Sequence, residues 1–143
     1  MDIYEIIVVV GAAAGLLMTL KNLKKQTLGL ATGLCVGIPI VLFTKYDEVG
    51  IAVYCVFLVL TAFNAVTKIS DLGTKIAVAV ASGAMAYHWI WHLLHLKGNT
   101  LVGVLLALGA VCFSLVSKPS KAYTGILIII AADAFSRLLE WAI

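Results

Sequence analysis

Long apolar stretches alternate with short polar ones along the whole chain. The apolar stretches cover about residues 3–20, 27–44, 49–66, 76–96, 100–116 and 124 onward. Between them stand KNLKK, KYDE, KISDLGTK, KGN and SKPSK. A stretch of about twenty apolar residues has the length of a membrane-crossing helix. In lipid every backbone N–H and C=O needs an internal partner, so such spans are helices. The pattern therefore predicts an all-α fold, a polytopic transmembrane bundle of about six spans. Loops this short make consecutive helices antiparallel neighbours.

Composition supports the same picture. Hydrophobic residues make up 63% of the 143, charged residues 12%, and the mean hydropathy is +1.11. Soluble domains are nearer half apolar and a quarter charged. The length fits a single integral membrane domain over residues 1–143. Cys35, Cys55 and Cys112 all fall within spans and form no CxxC, so buried, reduced thiols are expected. The opening MDIYEIIVVV carries acids where a secretory signal carries positive charge, so it is expected to remain as the first helix.

Lysine asymmetry sets an orientation. Lys21, Lys24, Lys25, Lys68, Lys75, Lys118 and Lys121 follow the odd-numbered spans; Lys45, Lys97 and Arg137 lie on the opposite side. Seven against three makes the first set cytoplasmic and places both termini outside. This bias fits a bacterial inner membrane. The lysines lie between spans, so the net charge of +3 gives no reason to expect a nucleic-acid partner.

A short internal repeat is visible. LKKQTL at 23–28 matches LKGNTL at 96–101, and the same offset carries Lys45 onto Lys118. Units of three spans would be oppositely oriented, giving two inverted three-helix repeats as in many transporters. Gly11 and Gly15 form a GxxxG on the first span, and Gly29, Gly33 and Gly37 a GxxxGxxxG on the second. Small residues so spaced let helix backbones approach closely, within one chain or between copies. Pro39 interrupts the second span and removes a backbone hydrogen bond there.

The candidate chemistry lies in two stripes. YHWIWHLLH at 87–95 holds all three histidines, His88, His92 and His95, spaced i, i+4, i+7. On a helix they fall within about 60° of one another. Asp133, Arg137 and Glu140 repeat that spacing on the last span, with Ser136 beside them. An ionisable group near the bilayer centre costs on the order of 2.5–3.5 kcal/mol on insertion scales, so such groups face a bundle interior or a hydrated cavity. Both stripes occupy the outer half of their spans. The economical expectation is that they face each other across a polar outer vestibule. Tyr4, Tyr46 and Trp141 are expected as interfacial anchors, and Asn64, Thr61 and Thr67 as a milder polar line toward the cytoplasm.

Three chemistries fit the histidines. Imidazole titrates near neutral pH, which suits a proton relay with Asp133. HxxxH also suits metal or haem ligation through His88 and His92, with Asp133 or Glu140 to complete a site, although HExxH and a neighbouring cysteine are absent and all three histidines share one helix. The third reading is an interfacial belt. No GxSxG, Walker A or GxGxxG is present, and no nucleophile–base pair stands out, so an enzyme is not expected. The expected function is a small transporter or ion or proton channel lined by His88, His92, His95, Asp133, Arg137 and Glu140, needing no cofactor. The alternative is a non-enzymatic subunit or assembly protein of a larger membrane complex, with a metal or cofactor on the histidines. Lipid is the expected surrounding, with a homo-oligomer or a membrane-complex partner.

Overall fold

The computed structural model describes residues 2–22 and 24–143; Met1 and Leu23, the latter the first residue of LKKQTL, lie outside them. The described residues form six α-helices and short connections: α1 (Ile3–Asn22), α2 (Lys25–Phe43), α3 (Asp47–Lys68), α4 (Leu72–Leu93), α5 (Leu101–Ser117) and α6 (Lys121–Ala142). The fold is all-α, and each apolar stretch coincides with one helix to within a few residues.

By length and composition, α1, α2, α3 and α6 can cross a membrane. The other two depart from a simple six-span pattern for different reasons. The α5 helix is strongly apolar but only 17 residues long. The α4 helix has 22 residues, but Lys75, His88 and His92 dilute its hydropathy. Exposed apolar side chains such as Val10, Leu17, Val56, Phe63 and Leu115 give the bundle the surface that lipid contacts.

Consecutive helices pack as neighbours, and α1 closes the bundle against α6. The α6 helix also touches α2, α4 and α5, which makes it the most enclosed element. Its close neighbours are allowed by small residues. A Cβ on Gly125 would lie 2.1 Å from Thr19 Oγ1 and 2.2 Å from the Gly15 carbonyl oxygen. A Cβ on Gly11 would lie 2.1 Å from that of Ala132. The α2–α3 crossing uses Gly37 against Tyr54 and Gly50 against Val41, while Gly33 receives the Phe57 ring. Gly29 faces open space, so the GxxxGxxxG series divides between an internal contact and an outer surface. Pro39 is accommodated within α2, which runs unbroken past it. Of the cysteines, Cys55 is buried and Cys35 half-buried, but Cys112 is exposed on α5. It occupies an outward face of a helix whose inward side is Gly103, Val104, Ala107 and Ala110.

Hydrogen bonds fix the relative directions of the helices. Asn22 Nδ2 donates to the Lys121 carbonyl at 3.0 Å, joining the end of α1 to the start of α6. The Ser120 amide donates to Thr74 Oγ1 at 2.9 Å, so α4 and α6 start at one end and run parallel. The lysine-rich loops lie at that end; the termini and the α2–α3 and α4–α5 loops lie at the other.

Asp71 caps α4 by accepting from the Thr74 amide at 2.7 Å and its hydroxyl at 2.6 Å. Asp71→Ala is expected to lower the thermal midpoint in micelles by a few degrees. The two bonds from Thr74 hold the Asp71 carboxyl below its ordinary value of 3.8. A carboxylate so lowered contributes stability above its unfolded pKa and loses it as pH falls through the folded one. The wild-type advantage over Asp71→Ala should therefore close below about pH 3.8. A gap unchanged in strong acid would show that the carboxylate is not its source.

Candidate vestibule at the terminal end

Asp133 sits in the fourth turn of α6, where the helix is enclosed by its neighbours, and is 3% exposed. Its Oδ2 accepts a hydrogen bond from Trp89 Nε1 at 2.8 Å. Arg137, one turn on, brings its Nε to 3.9 Å from Asp133 Oδ1. The guanidinium carbon lies 4.7 Å over the Trp89 ring, and Nη1 donates to Glu140. Trp89 is thus the hub of the site. Its indole holds the carboxylate, its face holds the cation, and Tyr54, His88 and His92 meet it edge-on at 6.3, 5.4 and 5.8 Å between ring centroids.

A cavity of about 290 Å³ opens beside this cluster toward the terminal end. Its lining includes Asp2, Glu5, Asp47, Glu140 and, at depth, Asp133, with Arg137 as its basic side chain among the described residues. Tyr54, Ser136, Val8, Ile38 and Ile51 form other parts of the wall. The Tyr54 hydroxyl is buried beside the Asp133 carboxylate, outside strict hydrogen-bond geometry. Ser136 Oγ is also buried without a protein partner. Below the cavity, Leu58, Met85, Ile126, Ile129 and Ile130 are fully buried. Further down, Tyr123 Oη donates to Asn64 Oδ1 at 3.0 Å. The other members of that polar line turn back on their own helix: Thr61 bonds the Phe57 carbonyl and Thr67 that of Phe63.

The two stripes of the sequence meet only in part. Asp133, Arg137 and Glu140 line the acidic cavity. His88 and His92 line a second cavity of about 350 Å³ with Asn99, Thr100 and Trp141. Arg137 and Glu140 border both cavities and form the partition between them. His88 Nδ1 lies 3.4 Å from the Thr100 carbonyl oxygen, which ties its ring to the α4–α5 connection. His95 leaves the stripe because α4 ends at Leu93 and the chain turns with His95 at a φ of 50°. Its exposed imidazole instead lies 3.8 Å from Glu48. Tyr46 and Trp141 are exposed, whereas Tyr4 is half-buried and lines the acidic cavity.

Among the described residues, no group of three or more His, Cys, Asp or Glu side chains is placed to hold a metal ion. The residues that sequence reasoning passed over are Trp89 and Tyr54. Their signal was present as spacing: Val78, Ser82, Met85 and Trp89 are one buried face of α4, and Tyr54, Leu58, Thr61 and Ala65 one of α3. No family model, curated protein or solved structure matches this chain.

Proposed function

We propose that the protein is a small, non-enzymatic membrane transporter or channel for protons or other cations, entered through the Asp133 cavity. The observation that carries this reading is a fully enclosed carboxylate at the floor of a cavity whose rim is also acidic. Carboxylates around a low-dielectric mouth concentrate cations, and an intramembrane Asp is a natural first acceptor. Fully buried side chains lie below Asp133, so passage would need the helices around α6 to shift. Alternation between two openings would suit two inverted three-helix halves, with all six helices in the membrane and both termini outside. His88 and His92 would serve the route from the second cavity, through Arg137 and Glu140. A subunit of a larger complex is the second reading, favoured by the exposed imidazole of His92 at the bundle periphery.

Reconstitution in liposomes tests this directly. Wild type should carry protons or alkali cations faster than protein-free vesicles, measured with a pH-sensitive dye. Asp133→Asn should return the rate to the protein-free level, and His88→Ala should slow it severalfold. Wild-type vesicles no leakier than empty ones would remove the transport reading in favour of the subunit.

A further inference from the structure

Arg137 rests in the Asp133 cavity as a bound cation would. It has an aromatic face beneath it, one carboxylate near Nε and another at Nη1. An aromatic face combined with carboxylates is the arrangement that recognises organic cations. Yet the site is not satisfied by this side chain. Asp133 Oδ1 stands 3.9 Å from Nε, beyond hydrogen-bond length, and Nε has no hydrogen-bond partner. Ser136, 0% exposed, lines the same space with a hydroxyl that has no hydrogen-bond partner, and Tyr54, 4% exposed, adds a buried hydroxyl that faces Asp133 outside strict hydrogen-bond geometry. Buried polar groups are ordinarily paired, and both oxygens can accept. The missing complement is a set of N–H donors on a positive centre.

We infer that this cavity binds a small, planar organic monocation of guanidinium type, and that Arg137 is its tethered competitor. The inference rests on the transport reading for its direction of entry. The acidic rim attracts the cation, Trp89 and Asp133 receive it, and Val8, Ile38 and Ile51 contact a short hydrocarbon body. At about 290 Å³ the cavity is at the small end of ligand sites, which suits a body of about one ring. The arriving cation takes the seat over Trp89. Arg137 then moves toward the second cavity, which it already borders with Glu140. The exchange keeps the charge beside Asp133 balanced throughout.

Benzylguanidinium is the probe, titrated calorimetrically into the purified full-length protein in detergent micelles. Benzylurea serves as the neutral isostere and tetramethylammonium as the cation without N–H groups. Arg137→Met removes the competitor and should tighten benzylguanidinium binding about tenfold or more. Tyr54→Phe should weaken it about threefold to tenfold, and Asp133→Asn at least tenfold. Equal affinity in Arg137→Met and wild type, or benzylurea binding as well as the cation, overturns the inference. If Arg137→Met does not fold, Tyr54→Phe in the otherwise wild-type chain decides, with unchanged affinity counting against. Proton or alkali-cation flux without benzylguanidinium binding overturns the inference and leaves the transport reading standing. Binding without any flux supports the cation seat and removes transport.

Discussion

Gly125→Leu is expected to abolish the folded protein, and Gly125→Ala to destabilise it strongly. The obstacle is largely backbone. A Cβ at residue 125 would stand 2.2 Å from the Gly15 carbonyl oxygen and 3.0 Å from the Thr19 amide nitrogen, with Thr19 Oγ1 at 2.1 Å. Thr19 cannot swing clear cheaply, because its hydroxyl is buried and bonds the Gly15 carbonyl at 2.8 Å. The only relief is separation of α1 from α6. Overpacking a core usually costs about 1–3 kcal/mol and sometimes more. Here the price is set by loosening the helix at the centre of the bundle, so Ala belongs at the top of that range and Leu beyond it. In lipid the loss is not offset by a hydrophobic force, since packing itself is the main attraction between helices. Equilibrium unfolding in mixed micelles measures the effect. Gly83→Ala and Gly109→Ala are the controls, because a Cβ there meets nothing within 4 Å. They should hold or gain stability through helix propensity, by up to about 1 kcal/mol. Gly125→Ala as stable as these controls would refute the close crossing.

That contrast shows what was legible in the sequence. Helix number and position were, because a polar break between apolar runs is a strong signal. Glycine spacing marked Gly11 and Gly15 but not their counterparts Gly125 and Ala132, which stand seven residues apart and form no GxxxG. Gly29 had the right spacing, yet a Cβ there would meet nothing within 4 Å, because the motif records only that approach is possible. The site was half legible. The charges of α6 announced themselves, since an Asp, an Arg and a Glu in an apolar span must find partners. Their principal partner did not. The buried face of α4 passes through Met85 and Trp89, about 100° around the helix from His88. In a membrane the outward face is as apolar as the inward one, so hydrophobicity does not separate them. The polar histidines mark the neighbouring face, and the indole N–H that holds Asp133 lies beside it.

Asp133→Ala tests how far that indole and Arg137 depend on the carboxylate. The substitution leaves the Trp89 N–H without its acceptor and takes one of two carboxylates from Arg137. Removing one partner of a buried pair typically costs about 3–5 kcal/mol, because the remaining charge is stranded. Arg137 is 28% exposed and keeps Glu140, so the lower end, about 3 kcal/mol, is expected. Asp133→Asn retains an acceptor for Trp89 and should cost clearly less, although it removes the charge that flux requires. The decisive measurement is the double variant. In Asp133→Ala with Arg137→Met no buried charge is stranded, because only the exposed Glu140 loses its partner, so the combined loss should be smaller than the sum of the single losses by about 0.5–3 kcal/mol. Strict additivity would mean that Arg137 is held by Glu140 and the Trp89 face alone. Coupling would mean that the buried carboxylate and the arginine act as one unit, which is the property that lets a second cation compete for the same place.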